Sequence, residues 1–228
     1  MMPGLIWGAV TLVFLGAAYL LGSFPTGYLV AKRLQGIDIR EHGSGSTGAT
    51  NVLRVLGKGP GLVVFAADVA KGAIAIALVP LFFQGIAAVL PTSFCWLDCP
   101  SWFSAHQDGL YWVRMLAGFA ALLGHSKSIF LRFTGGKSVA TSLGILLVLH
   151  WPVAIATFAS FGMMLALSRI VSLSSITGAI ALPIWMLVFN QPLPYLVFAI
   201  AGSIYVVLRH SSNIQRLLKG TEPKLGQG

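Results

Sequence analysis

Residues 61–83 read GLVVFAADVAKGAIAIALVPLFF, an apolar run interrupted only by Asp68 and Lys71. A helix needs about 20 apolar residues to cross a bilayer, and this run is long enough. Similar runs recur along the chain. The sequence therefore predicts an all-α, polytopic membrane protein with about seven transmembrane helices, with six as the alternative. The other predicted spans are Leu5–Phe24, Leu110–Gly124, the short Ser138–Leu149, Val153–Leu167, Ile176–Phe189 and Tyr195–Leu208.

The composition points to the same class. Of the 228 residues, 56% are hydrophobic and 9% are charged, whereas roughly 25% are charged in a typical soluble domain. So few charges cannot cover a water-facing surface, which excludes a disordered chain and argues against a soluble globule. We expect one integral-membrane domain over residues 1–228.

The distribution of positive charge indicates which partners to expect. The net charge is +9, but the basic residues lie between apolar runs and are not interleaved with aromatic residues. This pattern favours anionic lipid headgroups or an anionic substrate, and it argues against nucleic acid.

The same charges predict the orientation of the chain. Thirteen of the 15 Lys and Arg residues fall in one alternating set of loops, at 32–60, 125–137, 169–175 and from 209 onward, and the opposite set holds none. The positive-inside rule then places the N-terminus outside and the C-terminus in the cytoplasm.

The first basic loop has the composition of an anion site. Residues 43–51 read GSGSTGATN and are soon followed by Arg54. The glycines Gly43, Gly45 and Gly48 leave backbone N–H groups free to turn inward, while Ser44 and Asn51 add short polar groups. Together with the planar guanidinium this chemistry suits a phosphate. A flexible Gly/Ser turn is the structural alternative.

Three later segments on the same side are also polar. Gly135, Gly136 and Lys137 offer amides and a cation at the start of a span, although a tight turn with a snorkelling lysine explains them equally well. The serines of the third segment, Ser172 and Ser175, are ordinary helix-end residues by default. In the fourth segment, His210 and Asn213 share a helical face, beside basic residues that also suit an anionic leaflet. We predict that all four segments form one cytoplasmic anion site.

Two further pairs stand out. Asp68 and Lys71 are three residues apart within a span, which favours a structural ion pair supporting the site over a catalytic role. Cys95 and Cys99 have neither zinc-site nor CxxC spacing, and either a disulfide or two free thiols is compatible with the sequence. No metal-ligand cluster is present, so we expect no metal and no cofactor.

Taken together, these motifs resemble the bacterial acyl-phosphate:glycerol-3-phosphate acyltransferases of the PlsY type. The likeness runs from about Tyr19 to Glu222. The residues that carry it are Gly43–Asn51 with Arg54, Asp68 with Lys71-Gly72, Gly124-His125, the stretch from Gly135 to Thr141, and His210, Asn213, Arg216, Gly220 and Glu222.

The resemblance implies a seven-span enzyme of the bacterial inner membrane whose active site faces the cytoplasm. It implies transfer of a fatty acyl group from acyl phosphate, a lipophilic donor, to the sn-1 hydroxyl of glycerol 3-phosphate. The products are lysophosphatidic acid and phosphate, in the first acylation of phospholipid synthesis. Membrane lipids are the other implied partners.

The resemblance also implies roles for individual residues. The implied catalytic group is Ser44, Arg54, Lys137, Ser175 (with Ser172 as the alternate), His210 and Asn213. The implied substrate- and phosphate-binding group is Gly43, Gly45, Gly48, Asn51, Gly135, Gly136 and Glu222. Many members have Asn where this chain has Ser46, so Ser46 is not assigned.

The sequence offers no obvious strong base for acyl transfer. It has neither the GxSxG elbow of a serine hydrolase nor a His-x4-Asp motif. The leaving phosphate is therefore the candidate proton acceptor, as the family's substrate-assisted mechanism implies, and His210 is expected to position substrate, with general base as the alternative.

Two rival classes explain part of the pattern. A transporter of phosphorylated anions also uses glycine-rich breaks beside cations, but it needs a midplane site and usually internal repeats. A CDP-alcohol phosphotransferase needs a cluster of aspartates for metal ions, and Asp68 is the only acid in a predicted span.

Overall fold

A computed structural model describes residues 2–89 and 107–226, so the two cysteines lie outside the described residues. Within these ranges the regular secondary structure is helical, apart from an isolated antiparallel bridge between Ser128 and Thr134. In chain order the helices are α1 (Met2–Ser23), α2 (Thr26–Gln35), α3 (Ala49–Leu56), α4 (Lys58–Val89), α5 (Gln107–Ser126), α6 (Val139–Ser168), α7 (Val171–Val188), α8 (Leu193–Arg209) and α9 (Ser211–Leu218). Short 3-10 turns occupy Ile39–Glu41 and Ile129–Leu131.

Several of these helices have the dimensions of membrane spans. In the part of the chain that the structure describes, four stretches are long and apolar enough to cross a bilayer, and the bent pair α8 and α9 would add a fifth. Large apolar side chains such as Leu12, Met163 and Leu167 are exposed on the outside of the bundle, where lipid is the compatible solvent. The predicted all-α membrane fold is confirmed, while the count of seven spans and the orientation stay predictions.

Helix α6 contains a reversal of the chain. His150 has a non-helical backbone (φ −163°, ψ 98°), and Pro152 follows it. Val139 and Phe161 line the same cavity, although a straight helix would hold them about 33 Å apart. The helix therefore folds back near His150, and the predicted boundary between Leu149 and Val153 falls at this break.

Close helix contacts fix the end of the bundle that holds the site. At Gly22 and Gly124, α1 and α5 approach so closely that an added Cβ would overlap the backbone of the partner helix. Gly72 and Gly144 do the same between α4 and α6. Small residues at such crossings allow van der Waals packing between membrane helices, where the hydrophobic effect contributes little.

Candidate active site

The four predicted segments converge on one cavity. It has a volume of about 540 Å³ and lies between the loop after α2, the turn before α6, the start of α7 and the α8–α9 junction. The predicted residues that line it are Ser44, Gly48, Asn51, Arg54, Asp68, Lys137, Ser175, His210, Asn213 and Glu222. It is not lined by the other predicted residues, Gly43, Gly45, Gly135, Gly136 and Lys71.

Asn51 organises the first loop from within. It is buried, and its amide donates hydrogen bonds to the carbonyls of Ile39 (3.2 Å), His42 (3.0 Å) and Ser46 (2.8 Å). Its Oδ1 accepts a hydrogen bond of 2.7 Å from the Ser44 backbone. These bonds occupy both the nitrogen and the oxygen of the side-chain amide. The geometry therefore favours a role for Asn51 in holding the loop over the expected contact with phosphate.

The glycines of this loop have different structural roles. Gly43 has φ +59°, and an added Cβ would overlap Asn51 Oδ1. Gly48 has φ −76°, and its added Cβ would make only an ordinary 3.5 Å contact with Ser46 Oγ. Of these two glycines, Gly43 is therefore the one that the loop conformation requires.

We expect Gly43→Ala to abolish most activity and to lower stability by about 1–2 kcal/mol, because it combines a left-handed backbone with a clash. The matched Gly48→Ala substitution should be close to neutral. Thermal unfolding and turnover of both purified variants check this pair. Equal behaviour of the two would contradict the roles assigned to these glycines.

Arg54 is the cation of the first motif, and it lines the cavity without a bonding partner among the described residues. It lies in the last turn of α3 and is exposed. Among the described residues it forms no hydrogen bond or ion pair. The exposed Lys58 also lines the cavity, and sequence reasoning did not single it out. An unpartnered guanidinium at a cavity wall is available for a bidentate contact with an anion.

The second loop positions Lys137 by a tightly held turn. The N–H of Gly136 donates to the His125 carbonyl (3.1 Å), and the Arg209 side chain donates to the Gly136 carbonyl (3.1 Å). An added Cβ at Gly136 would overlap the His125 ring. The expected phosphate contact of the Gly136 amide is therefore unavailable, and this glycine packs the turn instead.

The residue after the lysine is equally constrained. Ser138 is buried and adopts a left-handed backbone (φ 64°), and its hydroxyl donates to the Leu122 carbonyl (2.9 Å). Such a conformation persists in a non-glycine residue only where the surroundings impose it. The turn thus fixes where Lys137 enters the cavity.

The ammonium of Lys137 lies in a mixed electrostatic environment. It donates a short hydrogen bond to Asn213 Oδ1. Burial, opposed by Glu222 but reinforced by nearby arginines including Arg54, lowers the pKa of Lys137 to about 8. Lys137 and Arg54 line the same cavity.

Glu222 organises the opposite wall. Its buried carboxylate accepts hydrogen bonds from Ser172 Oγ (2.8 Å), Asn213 Nδ2 (2.7 Å) and Arg216 Nε (2.7 Å). Burial acts to raise the pKa of Glu222, but these hydrogen bonds hold it below its usual value. A carboxylate repels phosphate, so the geometry favours a role in orienting Asn213 over the expected contact with substrate.

Ser175 and His210 complete the cavity wall. The Ser175 hydroxyl donates to the Val171 carbonyl of its own helix (2.9 Å), as a helix-end serine commonly does. Burial lowers the pKa of His210 to about 4, so the ring is neutral at pH 7. His210 Nδ1 lies 2.7 Å from the Val206 carbonyl. A carbonyl only accepts, so Nδ1 carries the proton and Nε2 is left as an acceptor.

The ionisable pair within α4 is part of a larger polar cluster. Lys71 Nζ lies 2.8 Å from Asp68 Oδ1 and 3.2 Å from the Phe24 carbonyl. His125 Nδ1 lies 3.6 Å from the same carboxylate oxygen, and His125 and Asp68 both line the main cavity. This contact between Lys71 and Asp68 is the one expected of a structural ion pair.

Sequence reasoning assigned no site role to His125 or Arg209. The Gly124-His125 dipeptide was a usable signal for the first, while Arg209 resembled one more basic residue of the tail. Among the described residues, no group of three or more His, Cys, Asp or Glu side chains is placed to hold a metal ion.

Comparison with known proteins identifies the family. The sequence profile of the family described as glycerol-3-phosphate acyltransferase matches residues 12–220. The glycerol-3-phosphate acyltransferase of Trichormus variabilis is 61% identical over 222 residues, which cover 96% of this chain and 92% of that protein. The Acaryochloris marina protein of the same name is 55% identical over 228 residues, covering 97% and 95%.

Solved structures agree. The crystal structure of PlsY (YgiH), an integral membrane glycerol 3-phosphate acyltransferase, is 37% identical in sequence. In its glycerol 3-phosphate form it matches with a TM-score of 0.78, covering 95% of this chain and 96% of that chain. The lysophosphatidic acid form gives a TM-score of 0.76 over the same shares. This chain is thus a multi-pass integral membrane protein, and it belongs to the glycerol-3-phosphate acyltransferase family.

Proposed function

We propose that this chain, as a single catalytic domain, transfers a fatty acyl group from acyl phosphate to the sn-1 hydroxyl of glycerol 3-phosphate in phospholipid synthesis. The observation that carries the proposal is the meeting of Arg54 and Lys137, 83 residues apart in sequence, at one cavity. Two anionic reactants repel each other, so a site that brings them together needs cations that offset their negative charge.

The walls of the cavity suit one polar and one lipophilic reactant. Beside the polar groups stand apolar side chains, including Leu62, Phe65, Phe158 and Phe161. A smaller apolar cavity of about 50 Å³ adjoins it, sharing Val139, Phe158, Phe161 and Ser175 with the larger one. This arrangement supports entry of the acyl chain from the bilayer while the phosphate stays among the polar groups.

The chemistry balances without a protein nucleophile. The sn-1 oxygen of glycerol 3-phosphate attacks the acyl carbonyl carbon, and the bond from that carbon to the phosphate oxygen breaks. The leaving phosphate takes the hydroxyl proton. Arg54 and Lys137 hold the negative charge. His210 Nε2 accepts a hydrogen bond from the sn-2 hydroxyl of glycerol 3-phosphate and so positions the substrate, which leaves the sn-1 proton to the phosphate.

We place this site at the cytoplasmic face of the bacterial inner membrane. The support is the charge asymmetry of the loops: the segments that line the cavity belong to the basic set, which faces the cytoplasm under the positive-inside rule.

The direct test supplies purified protein with radiolabelled glycerol 3-phosphate and palmitoyl phosphate. Formation of labelled lysophosphatidic acid with release of phosphate is expected. Uptake of label into proteoliposomes without a new lipid would instead favour a carrier. Acyl-coenzyme A in place of palmitoyl phosphate distinguishes the donor, and we expect little product from it.

The pH dependence should report Lys137. Its pKa of about 8 means that the charged form predominates below pH 8 and is lost above it. We expect kcat/KM for glycerol 3-phosphate to fall as pH rises through about 8, by up to about tenfold per unit. In Lys137→Arg the guanidinium stays charged, so this alkaline decline should be absent whatever the absolute rate. A decline unchanged in that variant would assign the titration to another group.

A further inference from the structure

The loop that follows α5 presents apolar side chains outward. In this loop, residues 127–134, Ile129 is 48% exposed, and Phe130 and Phe133 are each 58% exposed. None of these side chains lines the catalytic cavity. Large aromatic groups held at a polar helix end are costly in water, so their exposure indicates a partner surface.

The exposure is imposed by a firmly held backbone. Ser128 pairs with Thr134, and the Phe133 N–H donates to the Ser128 carbonyl (2.8 Å). Between the exposed aromatic residues, Leu131 is buried. Arg40 from the first loop donates to the Leu131 carbonyl (3.3 Å) and to Thr134 Oγ1 (3.2 Å). These contacts hold the loop in one shape with its aromatic side chains outward.

Two residues at the tip have an unusual conformation. Arg132 and Phe133 both adopt left-handed backbones, with φ 54° and 59°. Side chains with a Cβ disfavour this region. The left-handed backbone costs free energy and leaves the Phe133 side chain exposed. A favourable contact between this side chain and an apolar environment outside the protein would offset that cost.

The location and charge of the loop identify that environment. The Ser128 hydroxyl donates to the carbonyl of Ser23, the last residue of α1, and the Tyr19 hydroxyl donates to the Lys127 carbonyl (2.7 Å). The loop therefore lies where α1 and α5 end, and it belongs to the basic set of loops that the charge pattern assigns to one membrane surface. Lys127 and Arg132 are exposed there, and the sequence has no carboxylate from 109 to 221.

We propose that loop 127–134 docks on the headgroup layer of an anionic bilayer, beyond any role in acyl transfer. Phe130 and Phe133 enter the interfacial region, where aromatic side chains are favoured, and Lys127 and Arg132 contact lipid phosphates.

Photo-crosslinking tests this proposal without reference to activity. Benzoylphenylalanine replaces Phe133 in one variant, the lipid-facing Leu12 in a second and the exposed acidic Glu41 in a third. Each protein is illuminated in nanodiscs of phosphatidylcholine with and without phosphatidylglycerol, and adducts are identified by mass spectrometry. We expect lipid adducts at position 133 in yields similar to position 12 and several-fold above position 41.

The charged residues provide a second readout. Phosphatidylglycerol should be captured at position 133 several-fold more often than its share of the lipid, and adding Lys127→Gln and Arg132→Gln should reduce that enrichment toward none. Absence of lipid adducts at 133 while position 12 reacts, or crosslinking mainly to a second copy of the chain, would overturn the proposal. Either outcome leaves the acyltransferase assay unaffected, so the two proposals fail independently.

Discussion

Replacing Arg54 by alanine should lower kcat/KM by about 100- to 1,000-fold, the range found when one preorganised charge-stabilising donor is removed from an active site. The guanidinium is exposed, faces the cavity and has no partner among the described residues. Its groups are therefore free for substrate phosphate. The same freedom means that stability should change by less than about 0.5 kcal/mol.

Steady-state kinetics combined with thermal unfolding separates these two effects. Arg33→Ala is the matched control, because Arg33 is also an exposed arginine but does not line the cavity. We expect wild-type kinetics from it. A folded Arg54→Ala protein with wild-type turnover would remove Arg54 from the site.

Lys137→Met should cause a loss of similar or larger size, about 1,000-fold in kcat/KM. Methionine keeps the length of the side chain but supplies neither the charge nor the hydrogen bond to Asn213 Oδ1. The stability should hold, because burial lowers the pKa of Lys137, which means that the fold disfavours the ammonium. Removing a disfavoured charge relieves a desolvation cost.

A large loss of activity at unchanged stability in Lys137→Met is the result that distinguishes a substrate-binding lysine from a structural one. Lys32→Met is the control, since Lys32 is exposed and, within the part of the chain that the structure describes, its side chain bonds only to the nearby Gly36 carbonyl (3.1 Å). If Lys137→Met unfolds the protein, the lysine is structural; if it turns over normally, the substrate charge is held elsewhere.

The helical membrane fold could be predicted from sequence because the apolar runs have a length that only lipid explains. The convergence of the site was predictable for a related reason: small, polar and cationic residues are segregated into one set of loops. Even the reversal within α6 left a signal, in the polar His150 followed by Pro152 between two apolar runs.

The sequence did not reveal which polar side chains face the substrate and which side chains hold the substrate-facing ones in position. Asn51 and Arg54 are three residues apart in one motif. The Asn51 side-chain amide donates hydrogen bonds to three carbonyls of its own loop, whereas the Arg54 guanidinium has no partner among the described residues. That difference depends on the path of the backbone between Ile39 and Ser46, which no local pattern specifies. A motif indicates which residues are needed together, but it does not specify which of them bind substrate and which stabilise the loop.

His125 and Arg209 illustrate the same limit across greater distances. Each contacts the turn at Gly136 from a different helix, so their roles follow from how α5 and α8 pack. The Gly124-His125 dipeptide draws attention to His125, but no neighbouring residue in the sequence predicts the contact of His125 or Arg209 with Gly136. Only the three-dimensional arrangement distinguishes Arg209, which holds a turn, from the other basic residues of the tail.

An experimental structure of this chain with glycerol 3-phosphate bound would test most directly whether Arg54 and Lys137 hold the substrate together. We expect the phosphate in the cavity with oxygens at about 2.7–3.2 Å from both the Arg54 guanidinium and the Lys137 ammonium, or bridged to one of them by a water. A phosphate bound away from both cations, with the cavity still open, would contradict this expectation.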